Sequence, residues 1–245
     1  MSRGHMSAVA KLKQDEMYYG EFGQKWLSNS DISTLLNNPT MFRKGKSDSK
    51  AMVMGRYFHW AILEPHKAES ILCIDSTTRS TKIYKEATRD GNIALLCHEK
   101  DQVDRMVDAI KGNFDFFEGI YEDGNVFEMP EVGSLFGLPW KGKADIVNSN
   151  RIIDLKTTSS IGSFRQSAYK YNYDSQAYIY QNLFGVPMEF WVIDKNSMAM
   201  GQFHCSDEFL RSGEQKVKAA SEIYNRFFGE SSTESIDNHY IVEEL

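Results

Sequence analysis

Two aspartates and three lysines crowd the stretch KGKADIVNSNRIIDLKTTSS, Lys141 to Ser160. Ala144 and Ile146 flank Asp145, and Ile153 and Leu155 flank Asp154, so each carboxylate interrupts a short apolar run of β type. A turn at Asn148 to Asn150 joins the runs, and strands joined that tightly bring such residues side by side. Lys156 follows Asp154 by two residues and shares its face, because side chains alternate along a strand. Two carboxylates and an ammonium thus converge. Like charges held together out of water need a cation, and oxygen ligands at that density suit Mg²⁺, with Mn²⁺ as a substitute. A salt bridge between Lys156 and Asp154 on a wet face would give the same D-x-K spacing, which is common by chance.

Three further groups bear on that choice. Gln176 and Tyr180 lie four apart on the helical segment that follows, one turn apart on one face, where an amide and a hydroxyl can both address a phosphate or the site. The alternative is an ordinary polar helix surface. His59 stands on an otherwise apolar helix; taken alone, it reads as a hydrogen-bonded core histidine. Glu128, on the first strand of the β-rich region, is a candidate whose plainer reading is a solvated face.

The elements that must position these residues follow from periodicity. Ser28, Ser30 and Asp31 precede an apolar i, i+3, i+4 set that ends at Pro39, predicting a short capped helix. Ser49 to Pro65 is apolar almost all round and predicts a buried helix carrying Gly55 and His59 one turn apart. Residues 75 to 98 read as polar and irregular, after which Val103, Met106, Val107 and Ile110 restore helical spacing. From Gly124 to Thr157 the pattern predicts an antiparallel meander of three or four strands. A helix over Phe164 to Phe184, strands at residues 188–194 and 198–205, and a helix over Asp207 to Phe228 complete an α/β chain.

Composition bounds the function. With 245 residues, 41% hydrophobic and 25% charged, the chain can bury a substantial single core, and no apolar run is long enough to cross a bilayer. Cys73, Cys97 and Cys205 are odd in number and lack CxxC spacing, so neither a disulfide framework nor a thiolate zinc site is expected, and a reducing cytoplasm fits. The opening MSRGHM (residues 1–6) reads as a cloning remnant with a natural start at Met6, residues 7–229 as one domain, and residues 230–245 as an acidic tail that is mobile or loosely docked. A net charge of −6 excludes a generally basic nucleic-acid coat, so a polyanion partner requires a local groove. Basic clusters occur at Arg43 to Lys46, at Arg79 to Arg89, and around Lys141 and Lys143; each alone reads as a solvated loop. The DNA-binding candidates are Arg79, Lys82, Lys141 and Lys143.

Taken together, GRYFH, KGKAD, IIDLKTT and QAYIY resemble the motif set of the PD-(D/E)XK nucleases, in the branch of RecB-type nucleases and the RecE (exonuclease VIII) family of phage exonucleases. LSNSDISTLLNNPTMF and MGRYFHWAILEP also resemble the opening of the RecE family, so the similarity spans Leu27 to Phe184. It implies a restriction-endonuclease-like α/β core, with a central mixed sheet and an antiparallel meander flanked by helices. It further implies that His59, Asp145, Asp154 and the Leu155 carbonyl bind metal, that Lys156 orients the attacking water, and that Gln176 and Tyr180 form a QxxxY element, with Glu128 an added catalytic candidate. Ala144 replaces the family's Pro and Asp154 its commoner Glu. The implied activity is Mg²⁺-dependent hydrolysis of linear double-stranded DNA from its 5′ ends, leaving 3′ tails for a single-strand annealing protein in a bacterial host cell. The implied assembly is a ring-shaped tetramer, for which the aromatics of Asn113 to Gly124 offer contacts, unless they pack under the meander. A RecB-type nuclease acting on single strands or flaps, or a non-cleaving DNA-binding module, would share the motifs.

Overall fold

A computed structural model describes residues 3–45, 48–230, 232 and 234–240. In chain order the helices are α1 (Arg3–Leu12), α2 (Asp15–Tyr19), α3 (Asn29–Asn37), α4 (Lys50–Leu63) and α5 (Pro65–Ala68). Next come β1 (Leu72–Ile74), α6 (Lys82–Ala87), β2 (Ala94–Leu96), α7 (Cys97–Gly112) and α8 (Phe114–Ile120). The meander is β3 (Val126–Leu135), β4 (Leu138–Val147) and β5 (Ile152–Thr158), followed by α9 (Phe164–Lys170), α10 (Tyr173–Phe184), β6 (Met188–Asp194), β7 (Met200–His204) and α11 (Asp207–Phe227).

The five strands β3 to β7 form one mixed sheet in sequential order: β3, β4 and β5 run antiparallel, β5 and β6 parallel, and β6 and β7 antiparallel. The parallel step requires a crossover, which α9 and α10 supply. Alternation along the inner strands separates two cores. Ile152, Phe190 and Val192 join Trp140, Ala177, Ile179 and Val217 on the side of α3, α10 and α11. Ile153, Leu155, Trp191 and Ile193 join Phe58, Ile62, Val103 and Ile110 on the side of α4 and α7. This is the mixed α/β architecture the sequence predicts. The site-bearing strands are central and covered on both faces.

Local rules set the helix boundaries. Ser28 and Asp31 form a reciprocal capping box on α3, and Ser49 accepts from the Met52 amide to start α4. The segment expected as one helix from Phe164 to Phe184 is broken at Asn172, whose φ of 59° is left-handed, a conformation asparagine tolerates better than most residues. Residues 75–98, expected to be irregular, contain α6 and form with β1 a small parallel two-stranded sheet.

That pairing corrects the cysteine expectation. Cys73 and Cys97 are joined as a disulfide with Cα atoms 5.2 Å apart; spacing in sequence gives no sign of it, because the parallel register of β1 and β2 closes the gap of 24 residues. Cys205 is free and half-buried, and burial raises its thiol to about 12. Arg3 to Met6, set apart in the sequence reading, continue into α1. In the acidic tail, Arg226 pairs with Glu234 at 2.7 Å and His239 packs edge-on against Phe227, so part of it is docked; residues 241–245 and Lys46 lie outside the described residues. Among the described residues no helix is long and apolar enough to cross a membrane.

Candidate metal centre and active site

The site lies where β4 and β5 part. Their ladder pairs Val147 with Ile152 and Ile146 with Ile153, then stops, so the next facing residues in register are Asp145 and Asp154. Backbone groups exposed by the fork are met by side chains. The Leu155 amide donates to Asp145 Oδ2 at 2.8 Å, and the Lys143 amide donates to the Tyr180 hydroxyl at 3.2 Å. Further along, the Leu27 backbone pairs with β4, its amide donating to the Pro139 carbonyl at 2.9 Å while its carbonyl accepts from Lys141 at 2.8 Å. On β4 the gap between these two pairings runs from Gly142 to Asp145, and on β5 it begins at Asp154 and takes in Lys156.

His59, Glu128 and Asp145 each offer a ligand atom within 4.8 Å of the other two. α4 brings His59 across the open sheet, where its Nε2 stands 2.9 Å from the Leu155 carbonyl and its Nδ1 3.5 Å from Asp145 Oδ1. Burial works to lower the imidazole pKa, yet the adjoining Asp145 carboxylate outweighs it and raises His59 to about 9. Burial would raise Asp145, but His59, Lys156 and the Leu155 amide hold it below the usual carboxylate range. Glu128 goes the other way, to about 7, through burial and the nearby charge of Asp145. Its backbone is left-handed, with φ of 50°, inside a strand; a side chain rarely adopts this, and here it aims the carboxylate at Asp145.

Asp154 is almost fully buried, at 1% exposure, and stands apart from that trio. Its Oδ1 accepts from Gln176 Nε2 at 2.6 Å, and its Oδ2 faces the Lys156 ammonium as an ion pair without an aligned hydrogen bond. Burial and then Asp145 raise Asp154 to about 6 against the pull of Lys156. The Lys156 ammonium lies over the Tyr173 ring, 4.9 Å from its centre; burial opposes its charge, but Asp154 and Asp145 dominate and raise its pKa. Gln176 and Tyr180 thus both face inward from α10, the first onto β5 and the second onto β4. A Cβ at Gly142 would lie 2.7 Å from the Tyr180 ring, which explains a glycine between two lysines.

The four basic candidates part company. Lys143, its side chain only 7% exposed, reaches Asp15 at 2.6 Å and Glu128 at 3.9 Å, at the edge of the trio. The Lys141 ammonium donates to the Tyr18 carbonyl beneath the Tyr18 ring, and burial lowers it to about 8. It lines a cavity of about 160 Å³ with Ser28, Ser30 and Arg43. Arg79 is committed to the buried Glu99 at 2.7 Å, and Lys82 is exposed on α6 beside Glu86. Asp15 and Lys67, which join Lys143 here, escape sequence reasoning because they come from short helices with no motif of their own.

The donor set suits a hard divalent cation: two carboxylates and an imidazole converge, and no thiolate takes part. Fold and site define the class of the PD-(D/E)XK nucleases. Residues 30–233 match the family described as PDDEXK-like domain of unknown function (DUF3799), and the chain belongs to that family. Among solved structures it is similar to a candidate exonuclease from Eubacterium rectale, with a TM-score of 0.65 and 18% identity over 95% of each chain, a likeness of fold. A phage-related exonuclease from Haemophilus somnus matches at a TM-score of 0.35 and 15% identity, over 82% of this chain and 94% of that one. No curated protein matches the chain. Family and fold together support a hydrolytic nuclease.

Proposed function

We propose that the chain is a divalent-metal-dependent exonuclease that hydrolyses linear double-stranded DNA from its 5′ ends, with Mg²⁺ as the working ion and Mn²⁺ as a substitute. The observation that carries this reading is the convergence of His59, Glu128 and Asp145 beside the buried Asp154–Lys156 pair. His59, Glu128 and Asp145 would hold the ion, with the Leu155 carbonyl and Asp154 at its margin. When bound, a divalent ion supplies Lewis-acid polarisation of a phosphoryl oxygen and lowers the pKa of water. Lys156 stays cationic, so it serves as a hydrogen-bond donor that orients and acidifies the attacking water, not as a base. Gln176 keeps Asp154 in place, and Tyr180 keeps β4 open. Water attacks phosphorus, a P–O ester bond breaks, and no covalent enzyme intermediate forms. The 3′ tails left behind suit a single-strand annealing protein, and enclosure of the duplex by a ring of subunits would keep the enzyme on its substrate.

The test is digestion of end-labelled linear duplex, closed circular duplex and single-stranded DNA with Mg²⁺, Mn²⁺ or chelator. Loss of the 5′ label from linear duplex, with the circle intact and no reaction in chelator, supports the reading. Preferred digestion of single strands assigns the chain to a RecB-type role. No cleavage with either ion makes it a DNA-binding module.

A further inference from the structure

Asp15 is gripped at both oxygens. Its Oδ1 accepts from Lys143 Nζ at 2.6 Å and its Oδ2 from Lys67 Nζ at 2.6 Å, so two lysines from β4 and α5 clasp one carboxylate from α2. Lys143 also lies 3.9 Å from Glu128, which places this clasp against the metal trio. The buried Lys143 ammonium needs an anion, and Asp15 provides it from a helix of five residues whose Gln14 makes no side-chain cap. A phosphodiester offers the same thing, two unbridged oxygens sharing one negative charge. We infer that Lys67 and Lys143 form the seat of one DNA phosphate beside the metal centre, and that Asp15 fills this seat in the DNA-free protein and leaves it when DNA binds. This rests on the nuclease reading above.

The surroundings allow the exchange. Val9 and Leu12 anchor α1 against Val132, and Tyr18 is buried in the same cluster, so only the turn carrying Asp15 needs to move. Asp15 is itself half-exposed, with 37% of its side chain open to solvent, whereas the Lys143 beneath it is at 7%. Tyr19 projects outward beside it, 70% exposed, its ring centre 5.3 Å from the Lys143 ammonium. Bases stack on such rings with little regard to sequence. Lys67 retains Glu64 at 2.7 Å, so loss of Asp15 does not strand it.

Binding of a labelled blunt duplex to the full chain, followed by fluorescence anisotropy in chelator at low salt, tests the seat without cleavage. Asp15→Asn should bind about three- to tenfold tighter than the wild type, because a competing anion is gone. Lys67→Gln should bind several-fold more weakly, and Asp15→Asn should give no tightening in that background. Unchanged or weaker binding by a folded Asp15→Asn overturns the inference. If that variant does not fold, Lys67→Gln decides: wild-type affinity overturns the seat, weakened binding supports it. A wild type that cleaves and binds DNA without these effects sinks the seat alone; one that does neither sinks the nuclease reading with it.

Discussion

Glu128 and Asp145 face each other across β3 and β4, between the paired rows Phe127–Ile146 and Met129–Ala144, and Glu128 alone there adopts a left-handed backbone. A non-glycine residue in that region costs on the order of 1 kcal/mol or more, and the buried carboxylate beside Asp145 adds repulsion. Glu128→Gly should therefore raise the melting temperature of the metal-free protein while abolishing metal-dependent cleavage. Glu128→Ala removes the carboxylate but keeps the strain, so its gain should be smaller. A metal-free melting temperature for Glu128→Gly below that of Glu128→Ala would show that the backbone is not strained.

Stability of the metal-free protein should fall as pH rises. Glu128 is raised from 4.5 to about 7 and His59 from 6.5 to about 9. Both folded values lie above the ordinary ones, so the stability they confer is complete below the ordinary values and is lost as pH passes about 7 and then about 9. A divalent ion takes the place of those protons, so the rise in melting temperature on adding Mg²⁺ should be larger at about pH 9 than at about pH 6. Scanning fluorimetry checks this; an equal rise at both would remove His59 and Glu128 from the metal centre.

Asp145→Asn and Asp154→Asn should each lower the cleavage rate by about 100-fold or more with the fold intact, as removal of transition-state electrostatics does. Lys156→Ala should lose activity and about 3 kcal/mol of stability as well, because it leaves Asp154 buried without its cation. Single-turnover rates and denaturant melts on the same preparations separate the two effects. Near-wild-type cleavage by any of the three would overturn its assignment.

Tyr180→Phe tests the fork. It keeps the ring over Gly142 but removes the hydroxyl that accepts from the Lys143 amide, and an unmet buried amide costs about 1–3 kcal/mol. Urea unfolding should show that loss. No change in midpoint would mean that the amide finds another partner.

Of the aromatics between Asn113 and Gly124, Phe116 packs inside against Trp191 at 4.9 Å, whereas Phe114 is 75%, Phe117 41% and Tyr121 36% exposed. The exposed row is the contact surface proposed for a ring tetramer. Light scattering should report an oligomer that Phe114→Ser with Phe117→Ser dissolves. A wild-type monomer at micromolar concentration, unchanged on adding duplex DNA, would favour a distributive nuclease.

Local chemistry wrote the elements around the site into the sequence. The Ser28–Asp31 cap, the apolar run of α4 and the alternation through Asp145 and Asp154 depend on neighbours a few residues away, so α3, α4, the strands that carry the aspartates and the face shared by Asp154 and Lys156 were legible, whereas α6 and the small β1–β2 sheet were not. Register needed only the tight turn at Asn148, which sets Asp145 and Asp154 opposite each other. Long-range packing decided the rest. That Glu128 turns inward depends on a left-handed residue no pattern signals, and that Cys73 meets Cys97 depends on a parallel pairing across 24 residues. Arg79, read as a groove cation, is held by Glu99, while Lys67 and Asp15, silent in sequence, meet at the site because α2 and α5 are folded over β4. Charge partners are chosen by proximity in space, and proximity between residues 15, 67 and 143 exists only once the chain has closed around its sheet.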